Sequence, residues 1–69
     1  MSQYEMILDY IGRFGSISPM EAFMDLGITK LSTRISEMRK AGYEFSKAME
    51  SRKNRFGKVC HYMRYRKAA

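Results

Sequence analysis

Residues 15–42 read GSISPMEAFMDLGITKLSTRISEMRKAG, and two short apolar stripes run through them on either side of Gly27. Ser18, Pro19 and Glu21 have the spacing of a capping box, with proline at the first helical position, where its missing N–H removes nothing the helix uses. Ala22, Phe23 and Leu26 then give the apolar stripe of a helix over about 19–26, and Gly27 supplies the left-handed residue that stops it. The chain restarts at once. Thr29 is the expected amino-terminal cap of a helix over about 29–41. Leu31, Ile35 and Met38 mark its buried stripe, and Gly42 closes it. Two short helices joined by about three residues including a glycine form a helix-turn-helix unit.

Working outward, residues 2–14 predict a preceding helix. Ser2 caps it with Glu5 as the capping-box partner, and Ile7, Ile11 and Phe14 share one stripe, with Tyr4 and Leu8 beside it. The β-branched centre of Ser16-Ile17-Ser18 suits a brief extended segment. Beyond Gly42 the periodicity changes. Tyr43, Phe45, Lys47 and Met49 fall on one side of a strand; SRKNRFGK (51–58) reads as a loose basic loop, and VCHYMRYRK (59–67) returns as a second strand. The hairpin occupies about 43–66, and Lys67-Ala68-Ala69 is expected to fray. The fold class is mainly α with a small β-hairpin, an α+β arrangement in a single domain over 1–69.

Composition narrows the chemistry. A chain of 69 residues buries only about 60% of the surface its unfolded form exposes. The lone Cys60 excludes a disulfide framework and fits a reducing, intracellular setting. No apolar run approaches the roughly 20 residues that span a bilayer, and the start lacks a signal pattern, so a cytoplasmic location without membrane partners is expected. With one histidine and one cysteine, adjacent at 60 and 61, neither a zinc site nor a nucleophilic triad is supported. The glycines read as helix stops and turns, not as a phosphate-binding loop. No enzymatic activity, cofactor or small-molecule substrate is expected. The seven methionines read as core filler, with an adaptable binding groove as the alternative, Cys60 as a small buried hydrophobe and His61 as a strand residue.

Charge points the other way. Net charge is +6, but residues 1–28 set Arg13 against Glu5, Asp9, Glu21 and Asp25, whereas residues 29–69 set twelve lysines and arginines against Glu37, Glu44 and Glu50. A basic half implies a polyanionic partner. On a helical wheel fixed by Leu31, Ile35 and Met38, the residues Thr29, Thr33, Ser36 and Lys40 face outward. Lys30 and Glu37 lie on one flank, Ser32 and Arg39 on the other, and Arg34 sits at the core boundary. Small hydroxyls at the centre and cations at the edges suit close approach to a major groove. Glu37 is expected to offset a nearby cation such as Lys30, Arg34 or Lys40, with acceptance from a cytosine amino group as the alternative. Arg52, Lys53, Arg55 and Lys58 crowd around Asn54 and Gly57; they repel one another unless a phosphate backbone neutralises them. Phe56, among them, is expected to pack under the turn, with insertion into a groove as the alternative. Arg64, Arg66 and Lys67 extend this basic patch or merely form a basic end.

The order helix, short strand, helix, turn, helix, basic hairpin resembles a winged helix-turn-helix domain. More narrowly, Gly15-Ser16-Ile17-Ser18, Glu21-Ala22, Leu26-Gly27-Ile28, Arg34-Ile35-Ser36-Glu37-Met38-Arg39 and Gly42-Tyr43 resemble the small winged helix-turn-helix family common in bacteriophages and prophages. Met38 stands where that pattern has leucine, a change that volume tolerates. The resemblance implies three helices plus a two- or three-stranded wing, and a double-stranded DNA-binding protein acting in transcription regulation. In that reading 29–41 is the recognition helix, presenting Thr29, Lys30, Ser32, Thr33, Arg34, Ser36 and Lys40, while Arg52, Lys53, Arg55 and Lys58 lie on the backbone. Arg34 either contacts DNA or braces the turn against a carboxylate such as Asp25. Since fold does not settle function, the rival is a protein-binding module: a small phage-type inhibitor or accessory factor of host nucleic-acid machinery. Structured RNA ranks below both, because its narrow groove excludes a helix. Specificity calls for a homodimer or tandem sites; Tyr4, Tyr10 and Phe14 or Tyr62 and Tyr65 could form the dimer surface, although core packing is the expected job of most of them.

Overall fold

The computed structural model describes residues 1–68. Helix α1 (Gln3–Phe14), α2 (Pro19–Leu26) and α3 (Leu31–Lys40) precede strands β1 (Phe45–Lys53) and β2 (Val59–Lys67). Both expected capping boxes form. The Ser2 and Ser18 hydroxyls accept from the backbone N–H groups of Glu5 and Glu21, whose carboxylates accept from the cap residues' own N–H groups. Gly27 adopts φ 70°, a left-handed conformation that costs glycine little. The Gly27 N–H then bonds the Phe23 carbonyl and the Ile28 N–H the Ala22 carbonyl, closing α2 and turning the Ile28 side chain into the core.

Helix α3 is shorter than expected. It begins at Leu31, so Lys30 occupies the cap position and no side chain caps it. Thr29 lies one residue too far back to serve as the cap. At the other end Ala41 and Gly42 form a turn, and the Tyr43 N–H bonds the Met38 carbonyl.

The core joins Ile7 and Ile11 of α1, Ala22 of α2, and Leu31, Ile35 and Met38 of α3 to Ile17, Ile28, Phe45 and Tyr65. Three expected members stay out. Phe14 is exposed, its ring tilted against Tyr10 at 4.6 Å between centroids. Phe23 is exposed because Ala22 and Leu26 already cover the inner side of a two-turn helix. Cys60 is exposed, because it sits opposite Arg52 on the outer part of the hairpin, past the body of the domain. The methionines are core filler only in part: Met38 is buried and Met63 packs against the core, whereas Met1, Met20, Met24 and Met49 face solvent.

The strands pair antiparallel in continuous register from Phe45↔Lys67 to Lys53↔Val59. Ile17 adds a single bridge to Tyr65, with reciprocal N–H···O bonds of 2.9 Å, so the expected extended segment survives as one residue of a third strand. Alternation holds, yet on the face shared by Phe45, Lys47 and Met49 only Phe45 is buried, since the ribbon leaves the body there. Lys67 ends β2 and the Ala68 N–H bonds the Glu44 carbonyl, so these two residues are tied down; Ala69 lies outside the described residues. A nine-residue ribbon is about 30 Å long, while the longest helix, with twelve residues, spans about 18 Å. The ribbon therefore accounts for the elongated shape, 39 × 22 × 21 Å.

Candidate nucleic-acid interface

The outer face of α3 presents Ser32, Thr33, Ser36, Arg39 and Lys40 to solvent, with Thr29 and Lys30 exposed just before it. Its first turn holds no acidic residue and no side-chain cap, so the N–H groups there are open at the positive end of the helix dipole. Arg34 is half-buried at the boundary, as the wheel places it. It reaches Glu37 at 3.4 Å, and Glu37 also accepts from the Tyr4 hydroxyl at 2.8 Å. The Arg34 contact lies within ion-pair range but is not aligned as a hydrogen bond, and its Nε is buried without a partner. Asp25, the alternative brace, instead accepts from the Tyr10 hydroxyl at 2.6 Å. That bond, with burial, pushes the Tyr10 phenol up to about 12. The Glu37 bond raises the Tyr4 phenol likewise.

Arg52 and Lys53 are the last residues of β1, and Arg55 and Lys58 flank the tip; all four are exposed. The loop is tighter than the loose one expected. Asn54 pairs through its N–H with the Lys58 carbonyl and takes the Gly57 N–H on its own carbonyl, while its side-chain oxygen accepts from the N–H groups of Phe56 and Lys58 at 2.9 and 3.0 Å. Gly57 at φ 78° fills the left-handed position of a short hairpin connection. Because the chain turns within three residues, Phe56 has nothing to fold under, and it stands 92% exposed.

Arg64 does not extend the basic patch. Its Nε donates to Glu50 at 2.9 Å, and one terminal nitrogen donates to Glu21 at 2.9 Å and to Ser16 at 3.0 Å. These bonds, that to Glu50 foremost, hold the guanidinium well above its usual range and the Glu50 carboxyl below its own. Arg64 thus anchors the ribbon to the start of α2. The one signal for this role in the sequence is its place two residues diagonal to Glu50 across the hairpin, legible only once the register is known. The anchor leaves an open groove between α2 and the ribbon, with Met20 and Met24 on one wall and Arg52, Lys53, Arg55 and Tyr62 on the other. The site residues thus fall into two groups, one on α3 and one on the outer ribbon beside α2.

Of thirteen lysines and arginines, Arg13, Arg34 and Arg64 pair with carboxylates among the described residues, which leaves ten without an acidic partner. The carboxylates are almost all taken. Six of the seven acidic side chains cap a helix, bond a tyrosine or pair with an arginine, and Glu44 is the exception. Among the described residues no helix is long and apolar enough to cross a membrane, and no cluster of three or more His, Cys, Asp or Glu side chains is placed to hold a metal ion.

No curated protein and no solved structure matches the chain. A family model described as the winged helix-turn-helix domain matches residues 2–66, from the cap of α1 to the penultimate residue of β2, and with helix, turn, helix and hairpin all inside that match the chain belongs to the winged helix-turn-helix domain family, an architecture that suggests DNA binding.

Proposed function

We propose that this domain binds double-stranded DNA as a small transcription regulator of phage or prophage type, acting in the cytoplasm of a bacterial host. Helix α3 enters the major groove, offering Ser32, Thr33 and Ser36 to base edges and phosphates. Lys30, Arg34 and Lys40 flank it, and the open N–H groups of its first turn receive a phosphate with Thr29 beside them. Arg52, Lys53, Arg55 and Lys58 follow the adjacent backbone. The observation that carries this reading is the uneven use of charge: among the described residues ten cations lack an acidic partner while one acidic side chain remains free. One small domain covers a single half-site, so sequence-specific regulation calls for a dimer or tandem sites.

The test is fluorescence anisotropy of a labelled 25-base-pair duplex across a salt series. Micromolar binding that falls steeply with salt is expected. Thr33→Glu, which sets a carboxylate against phosphate, should abolish that binding and leave circular dichroism unchanged. Retained affinity in this variant would remove α3 from the interface.

One observation favours a second reading. Met20 and Met24 on α2 are 68% and 70% exposed, apolar surface that a DNA-binding role leaves unused. A protein-binding module acting on host nucleic-acid machinery would use it. Capture of a host protein that survives nuclease, together with no duplex binding at low salt, would favour that reading.

A further inference from the structure

The geometry points to Phe56 as a wedge that inserts between base pairs from the minor groove and kinks the duplex. This inference rests on the DNA-binding reading. At 92% exposure Phe56 is the most exposed large apolar side chain of the domain, and it sits at the point of the ribbon farthest from the body. Nothing in the fold uses its ring. The backbone beneath the ring is held firmly, because the Asn54 side chain bonds the Phe56 N–H and the Lys58 N–H and the Asn54 carbonyl bonds the Gly57 N–H. An aromatic ring is therefore presented on a fixed turn, as insertion into a stack requires.

The surroundings choose the partner. Arg52, Lys53, Arg55 and Lys58 all lie within four residues of Phe56 in the chain and are exposed, and no acidic residue occurs from Ser51 to His61. The minor groove supplies the complement, two rows of phosphate bordering stacked apolar faces. Apolar wedges of this kind unstack one base step and bend the duplex by about 20–90° toward the major groove. Pyrimidine–purine steps yield most easily, so the wedge adds a preference for TA and CA steps without any hydrogen bond to a base.

The experiment uses the whole chain and a 25-base-pair duplex with central TA steps, 2-aminopurine in place of one adenine and a dye pair at its ends. With saturation followed by anisotropy, the wild type should raise the 2-aminopurine emission and shorten the end-to-end distance. Phe56→Ala should lose both signals, bind about tenfold more weakly and keep the same salt slope and melting temperature, since the ring supports nothing in the fold. Phe56→Leu, still apolar, should keep part of the kink. Saturable binding by the wild type with both signals flat, or a Phe56→Ala variant that kinks like the wild type, overturns the wedge and leaves DNA binding standing. Absence of any anisotropy change at low salt removes the DNA reading and the wedge with it. Phe56-dependent binding to vesicles of anionic lipid, with no kink in DNA, would reassign the ring to a membrane surface and also overturn the proposal.

Discussion

Replacing Arg64 by methionine separates a cation that serves the fold from those left for a ligand. The arginine side chain is only 17% exposed and makes three hydrogen bonds, to Glu50, Glu21 and Ser16. Methionine retains much of the apolar stem and none of the donors. A buried hydrogen bond to a charged group contributes about 1.5–3 kcal/mol. Glu21 and Glu50, however, remain about a third exposed, so water takes their lone pairs once the guanidinium is gone, which moves each contact toward the few tenths of a kcal/mol of surface pairs. The expected loss is about 2 kcal/mol for Arg64 as a whole. In a domain of this size that lowers Tm by about 10 °C. Thermal unfolding by circular dichroism reads the loss, and the salt dependence of duplex binding, measured below the melting range, should be unchanged. The Arg64 bond depresses the Glu50 carboxyl, so its stabilising effect is complete above the ordinary carboxylate range and fades as pH falls through the depressed Glu50 value. The variant should show less of that fading, since Tyr62 and Arg66 still lower the Glu50 carboxyl. A Tm within about 2 °C of wild type would refute the anchor. A salt slope reduced by about one would show instead that Arg64 touches phosphate.

Two further outcomes are expected. Changing Arg52, Lys53 and Arg55 together to alanine should weaken binding to all duplex sequences alike and flatten the salt slope by about three units; an unchanged slope would take the wing off the phosphates. Tyr10, raised to about 12 by its bond to Asp25, favours the folded state fully below the ordinary phenol value of 10.0, and that contribution is lost as pH rises toward about 12. Phenolate absorbance should therefore show a late step that Tyr10→Phe removes, and survival of the step would place it on another tyrosine.

The helices were legible where local chemistry is self-sufficient. Ser2 with Glu5 and Ser18 with Glu21 define their own caps within four residues, and Gly27 closes α2 through neighbours, so α1 and α2 lie within a residue of where the spacing puts them. Helix α3 was less legible because Thr29 has the right chemistry one position too early, and the tertiary placement of Ile28 sets where the helix starts. Burial on the ribbon departs from the alternation pattern for a different reason. Alternation says which residues share a face but not where the supporting body ends, and that boundary leaves Met49, Cys60 and Phe56 in solvent. Arg64 was illegible as an anchor because its partners come from a turn, a helix and the facing strand, up to 48 residues away in sequence.

The acidic residues explain why the basic ones are left over. Glu5 and Glu21 are committed to helix caps, Asp25 and Glu37 to tyrosine hydroxyls, Asp9 to Arg13 and Glu50 to Arg64. Five of these six carboxylates have their partners on the helical body and Glu50 has its partner partway along the ribbon, so each is already engaged away from the wing tip. The two capped helices make the third more telling. The chain places Ser-x-x-Glu at the start of α1 and α2, and at α3 it places Lys30 instead, with Ser32 and Thr33 following and no acid in the first turn. An acidic cap there would improve the isolated helix by about 1 kcal/mol but would also set a negative charge where the proposed DNA contact brings a phosphate. A helix start left open, next to hydroxyls and beside unpaired cations, forgoes that stability and keeps the positive end of the α3 dipole available to an external anion.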